Sequence, residues 1–310
     1  MKFYKLCIPF LLSLSFIGCA TPAKAPLSAN SDPEATIHSA SGLIEEATRK
    51  QYDRVAPTHF QRAVDYRNAA KEKFSKGSDS AKVLSDAAIA LQAIEDVKRI
   101  GEENSVVLFS VLEARKFAMA AEAPKYQTQL FRAADRGLGN MGEKMETGSY
   151  KVDAKELADL EKQFSVAEIG ARKILELGKV KTSIEKAASN GAKKKVPGVY
   201  QSALAKMSSA EQSIDIHPRN PAGYELALGD SKSSAQKLTE VLSIANSKSV
   251  TEEVAITIWT QGQQLEASKS ALSQANIDSE KLRIETKDES DTALAAKDAR
   301  LVRQSASIAT

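Results

Sequence analysis

Cysteine is almost missing from this chain: 310 residues contain two, Cys7 and Cys19, both at the extreme N-terminus. The body from residue 20 onward therefore has no thiol, which excludes disulfides and cysteine-based metal sites there. Aromatic residues are also scarce, at nine Phe, seven Tyr and one Trp. A compact enzyme of this length ordinarily uses more of them to fill a thick core. Fifteen Gly and nine Pro leave material for few loops. Net charge is small as well. Without Lys2 and Lys5 of the N-terminal segment, 41 basic side chains stand against 40 acidic ones. A near-neutral body has no broad attraction for nucleic acid or an anionic membrane.

What is present begins with MKFYKLCIPFLLSLSFIGC. Lys2 and Lys5 form a short positive region, and an apolar stretch runs from Leu6 to Ile17. That is too short to span a bilayer and the right length for a signal-peptide core. It ends in Phe16-Ile17-Gly18-Cys19, which resembles a bacterial lipobox. The resemblance implies cleavage between Gly18 and Cys19 and acylation of Cys19. Phe16 departs from the usual Leu, and Ala20 rather than Asp after the cysteine resembles lipoproteins passed to the outer membrane. Residues 1–18 thus read as a signal peptide and 19–31 as a lipidated cysteine with a flexible Pro-, Ala- and Ser-containing tether.

Ala, Glu, Lys, Ser and Gln dominate the remainder, a mixture that favours helices joined by thin interfaces. Residues 44–63 overlay 184–203 without a gap: Ile44-Glu45 on Ile184-Glu185, Ala47 on Ala187, Pro57 on Pro197, Phe60-Gln61 on Tyr200-Gln201, Ala63 on Ala203. A looser copy lies between them, with Leu112-Glu113-Ala114, Ala123-Pro124, Tyr126-Gln127 and Ala133. Three helical units follow, about 33–105, 106–180 and 181–249 within a domain of 32–249. In each, a helix stops near Pro57, Pro124 or Pro197 and a second begins there. Phe60, Tyr126 and Tyr200 behind these prolines read as anchors closing the hairpin turns.

Apolar residues recur in alternating three- and four-residue steps: Leu84, Ala87, Leu91, Ile94; Leu157, Leu160, Phe164, Ala167, Ala171, Ile174; and Tyr224, Leu228, Ser231, Ala235, Leu238, Leu242, Ala245. Such spacing keeps one narrow stripe on a partner helix, as in coiled coils. Asp32-Pro33-Glu34 reads as a helix start, Ser249-Val250-Thr251-Glu252 as a capping box, and Gly77, Gly148 and Gly191 as helix ends. The expected fold is all-α, an elongated bundle of about three helical hairpins with coiled-coil-like packing. Residues 250–310 read as a C-terminal helix with a charged tail, solvated or frayed. Its Ile258, Leu265 and Leu272 are the candidates for docking a partner.

Chemistry is sparse. His38, His59 and His217 are far apart and pair with nothing at ligand spacing. No phosphate loop, nucleophile elbow or converging acid pair is present. No catalytic residue, metal site or cofactor is expected. Lys193-Lys194-Lys195 reads as a solvated turn. The pattern Pro57-x-x-Phe60-x-x-Ala63, repeated at Pro197-x-x-Tyr200-x-x-Ala203 and Pro221-x-x-Tyr224-x-x-Ala227, resembles Ala-rich helical repeats of unknown function in Gram-negative envelope lipoproteins. Some of these are fused to an OmpA-like peptidoglycan-binding module. The resemblance covers about 35–245 and implies helical hairpins and an envelope location. No OmpA-like module follows residue 250, so peptidoglycan contact stays open. The expected function is a non-catalytic outer-membrane lipoprotein facing the periplasm, held by lipid, serving as scaffold or adaptor for an envelope protein or a further copy of itself. A module carrying a lipid or glycan is the alternative, and a cell-wall hydrolase ranks below both. No nucleic-acid partner is expected.

Overall fold

A computed structural model describes residues 31–308. Residues 1–30, on which the expected signal segment, Gly18, Cys19 and most of the expected tether fall, lie outside the described residues. Those described form twelve α-helices and no strand. They are α1 (Pro33–Arg49), α2 (Tyr52–Val55), α3 (Pro57–Ser75), α4 (Ser80–Val107), α5 (Phe109–Ala120), α6 (Ala123–Tyr126), α7 (Thr128–Glu146), α8 (Ala154–Ser189), α9 (Ala192–Lys195), α10 (Pro197–Ile216), α11 (Glu225–Lys248) and α12 (Glu252–Ile308). The chain forms two compact units. One holds the described residues up to Lys116 with Gln129–Ser165, the other Phe117–Thr128 with Val166 onward. This partition differs from the consecutive blocks expected from sequence, because residues 117–128 join the second unit and 129–165 the first.

One backbone device occurs three times. A helix ends, one residue turns left-handed, a four-residue helix follows, one residue leaves the helical region, and a long helix begins. The left-handed residues are Gln51 (φ 62°), Glu122 (φ 56°) and Gly191 (φ 93°). The short helices are α2, α6 and α9. Each is followed by a residue near φ −130 to −140°, Ala56, Gln127 or Val196. The bonding repeats too. Arg54, Lys125 and Lys194 donate backbone N–H groups to the carbonyls of Gln51, Glu122 and Gly191. Ala56, Gln127 and Val196 donate to Tyr52, Ala123 and Ala192. Proline disfavours a helical residue before it, in keeping with Ala56-Pro57 and Val196-Pro197.

In the first unit α1 and α3 run antiparallel: Arg67 donates to Ser41 Oγ at 3.2 Å, and Ile37 packs with Ala70, Val83 and Ala87. Helix α4 covers both. Its buried positions Val83, Ala87, Ala90, Ile94, Val97, Gly101 and Asn104 keep the three-four rhythm. In the second unit α10 and α11 pair beside the C-terminal half of α8, and Lys206 and Asp230 bridge the former pair at 2.7 Å. All seven stripe residues of α11 named above are buried, from Tyr224 to Ala245. Along α8 the stripe departs from expectation. Ile174 is exposed, and the seam steps to Leu177, Val180, Ile184 and Ala187 instead. Asp32 caps α1, accepting from the Glu34 and Ala35 N–H groups at 3.1 and 3.3 Å. Gly77, Gly148 and Gly191 all have positive φ, as helix ends require.

The helices opened by Pro57 and Pro197 have no side-chain cap of their own. Carboxylates from distant segments supply one. Glu146, at the end of α7, accepts from the Thr58 and His59 N–H groups at 3.0 Å each and from His59 Nδ1 at 2.8 Å. Glu252, at the start of α12, accepts from the Gly198 and Val199 N–H groups at 3.2 and 2.7 Å. Ser249-Val250-Thr251-Glu252 is therefore not a self-contained capping box. Ser249 is the left-handed terminator of α11, and Glu252 serves α10. One turn before Glu146, Gly142 lets α7 touch the first break: a Cβ there would lie 2.3 Å from the Arg54 carbonyl oxygen.

Glu146→Ala and Glu252→Ala are each expected to cost about 1–2 kcal/mol in urea unfolding, the range for a lost charged helix cap. Gly142→Ala is expected to cost more than either, because the clash is with backbone. A Gly142→Ala chain as stable as the parent would contradict this packing.

Candidate functional site

The residues singled out by sequence fall around the three breaks. Pro57 and Pro197 occupy the first position of α3 and α10. Phe60 is half-buried and Tyr200 buried one turn further on. In the middle copy the register is four residues different. Pro124 lies within the short helix α6, and the position equivalent to Pro57 is Thr128, the first residue of α7. The counterpart of Phe60 is therefore Phe131 rather than Tyr126. Phe131 is buried and meets the Phe164 ring edge-on at 5.6 Å. The counterpart of Ala63 and Ala203 is Ala134, and all three have no exposed surface.

Charged side chains gather beside the breaks. In the first unit the Arg115 Nε donates to Asp135 at 2.7 Å and its Nη1 to Gln51 at 2.8 Å. Arg54 reaches both Asp135 and Asp53, at 3.2 and 3.3 Å. Burial pushes the Asp53 carboxyl above its ordinary 3.8, and the two arginines only partly oppose this. In the second unit Glu168, 1% exposed, is held bidentately by Arg219, whose guanidinium lies 4.0 Å from the Phe117 ring centre. Such pairs orient helix ends. They expose no nucleophile beside a base, and no group of three His, Cys, Asp or Glu placed for a metal ion occurs among the described residues.

Two surface grooves occupy equivalent places. The first lies between α1 and α4, the second between α8 and α11. Leu43, Glu46, Ala47 and Lys50 correspond to Ser183, Lys186, Ala187 and Asn190. Across the groove Ile94, Glu95 and Lys98 correspond to Leu242, Ser243 and Asn246. The chemistry has diverged. In the first groove Glu46 and Lys50 pair at 2.8 Å, and the Lys50 ammonium holds the Glu46 carboxyl below its usual range. Tyr52 blocks the end, its ring set against Gly101, where a Cβ would come within 2.5 Å. In the second, Ala192 stands where Tyr52 does, and hydroxyls and amides replace the ion pair. The empty space of the groove, open solvent included, rises from about 380 to about 1050 Å³.

Helix α12 is the last candidate. Val254 to Trp259 is helical, and Ala255, Ile256 and Trp259 pack on the second unit's core. Trp259 Nε1 donates to Glu240 at 2.5 Å. Of the docking candidates, Ile258 is half-buried in this attachment, whereas Leu265 and Leu272 are 56% and 64% exposed. Every described side chain from Gln261 onward is exposed. The charged segment is a solvated helix rather than a frayed end. No helix among the described residues is long and apolar enough to cross a membrane. No family model matches the chain, no curated protein matches it, and no solved structure matches it.

Asp53 yields a pH-dependent prediction. A carboxyl whose folded-state pKa is raised costs stability as pH climbs from its unfolded value through the folded one. Asp53→Asn removes that cost while Asp135 still pairs with Arg54. The variant is expected to exceed the parent in urea resistance at pH 7, with the difference gone near pH 3, where both side chains are neutral. A less stable variant at pH 7 would mean that the Arg54 contact outweighs burial.

Proposed function

We propose that the protein is a non-catalytic lipoprotein of the bacterial outer membrane, a periplasm-facing helical scaffold whose C-terminal helix engages a partner. One observation carries the reading: Gly18-Cys19 closes a short apolar segment behind two lysines and is followed by Ala20 and a tether. Two or more acyl chains on Cys19, each gaining about 0.8 kcal/mol per buried CH₂, suffice for stable anchoring. The resemblance to Ala-rich repeats of envelope lipoproteins points to the same compartment. The docking role draws support from α12, which leaves Leu265, Leu272, Ile277 and Leu282 more than half exposed. Seams built on fully buried alanines such as Ala63, Ala134 and Ala203 favour a scaffold over a carrier of bulky lipid.

Palmitate labelling in intact cells tests the anchor. The parent chain is expected to take up label and partition with outer membranes. Cys19→Ala should take up none, and an unlabelled parent would refute the proposal. Truncation after Gln263 tests the docking role. It retains Glu252, Ala255 and Trp259, so helicity and unfolding midpoint should hold while in-cell cross-links to partners disappear. Unchanged cross-links would remove α12 from the interface.

A further inference from the structure

The groove between α8 and α11 is roomier than its counterpart, and the structure contains a helix with an uncovered stripe that suits it. Two adjoining stretches make one trough. Ser183, Ala187 and Asn190 of α8 face Thr239, Ser243 and Asn246 of α11, and the trough continues past Val180 and Ala235. It extends over residues 179–190 and 232–247, roughly 15–25 Å of helix at 1.5 Å per residue. That length fits several turns of helix better than a small molecule. Small side chains along the floor allow a helix to approach closely. The walls are the first and third helices of a three-helix arrangement, so an occupant would be a fourth.

On α12 the residues Leu265, Ser268, Leu272, Ala275, Ser279 and Leu282 follow the same three-four steps as the buried stripe of α11, Leu228, Ser231, Ala235, Leu238, Leu242 and Ala245. The composition matches: each stripe has three leucines among Ala and Ser. On α11 the stripe is covered, and on α12 it meets water. Charge agrees as well. The trough is rimmed by exposed Lys179, Lys186 and Lys232, while its one acid, Glu240, is engaged by Trp259. One flank of the α12 stripe carries Asp278 and Glu285. Asp278 and Glu285 are seven residues apart, as are Lys179 and Lys186, which sets both pairs two turns apart on their helices. Glu285 has only a 4.0 Å contact with Lys281. Because α12 runs without a break from Glu252 to Ile308, the stripe cannot fold back into its own trough.

We propose that residues 265–289 of α12 dock in the α8/α11 trough of a second copy of this chain, an exchange that closes as a symmetric dimer. This inference rests on the docking role given to α12 above and is independent of the lipid anchor. The test uses the mature chain carrying Cys19→Ser, so that each added cysteine is the only thiol. Ser243→Cys and Thr286→Cys proteins are mixed and oxidised. The expected product is a disulfide between position 243 of one copy and 286 of the other, which the Lys186–Glu285 pairing sets level with each other. Bridging of 286 to 286 alone, the mark of α12 pairing with α12, would overturn the proposal, as would a lack of bridging with monomeric sedimentation. Lys186→Glu is expected to weaken the dimer about tenfold over its two equivalent contacts, and Glu285→Lys in the same chain to restore it. An unaffected dimer in the Lys186→Glu protein would also overturn the proposal. Palmitate uptake reads the anchor separately, so failure of either reading leaves the other measurable.

Discussion

A helix N-terminus that cannot cap itself is the constraint on which the rest of this structure depends. Pro57 and Pro197 start their helices well, since proline needs no N–H partner there and holds φ at a helical value. The residues before them are Ala56 and Val196, whose side chains accept nothing. The next two N–H groups at each site would otherwise be orphaned. Glu146 and Glu252 take them, from 87 and 53 residues away for the closest pairs. A helix end thereby becomes a long-range tie: the break holds its shape only when a distant segment has arrived.

Two of the breaks also carry strain in surroundings that are fully buried. Gln51 and Glu122 adopt a left-handed conformation that costs a non-glycine residue about 1 kcal/mol or more. Around them Val55, Ala56, Ala121, Ala123, Ala192 and Val196 have no exposed surface. The charged clusters sit at the same places, Arg115 with Asp135 in one unit and Arg219 with Glu168 in the other. Removing one member of such a pair leaves an uncompensated buried charge. Between the breaks the demand is different. Ala63, Ala70, Ala203 and Ala210 allow close helix approach, and each contributes little apolar area of its own. The helices are held by long thin seams, and the breaks set their register.

Much of this was legible from residues alone. Periodicity located the seams because three-four spacing is a local property of the chain, and α11 follows it from Tyr224 to Ala245 without exception. Asp32-Pro33-Glu34 worked for the same reason. The ungapped match of 44–63 with 184–203 placed two breaks in register. The third slipped because Pro124 looks like a helix start and is one, but of the four-residue α6 rather than of the long helix that follows. Thr128, Phe131 and Ala134 carry the true correspondence, and without a proline to mark it the eye had no landmark. Gln51 and Glu122 gave no sign of their backbone, since only Gly191 advertises a left-handed residue. Glu252 read as a local cap because sequence cannot see that the nearest needy N–H groups belong to another helix.

The two grooves show how a repeated architecture acquires a difference that matters. Both have the same walls and nearly the same floor, Ala47 with Ile94 in one and Ala187 with Leu242 in the other. The smaller space of the first depends on four residues acting together. Glu46 and Lys50 neutralise each other, and Tyr52 occupies the end only because Gly101 leaves room for its ring. In the second, Ala192 replaces the ring, and neither Lys186 nor Asn190 re-creates the pair. Exchanging the ion pair for small hydroxyls, amides and a lysine leaves a roomier, polar surface, part of whose hydroxyls are satisfied within the chain, as where Ser183 meets Thr239 at 3.3 Å. A trough of that kind in water loses little by staying open, so its stability does not demand an occupant; the uncovered leucines of α12 do. In the same molecule, the exposed stripe supplies the driving force and the trough the selectivity.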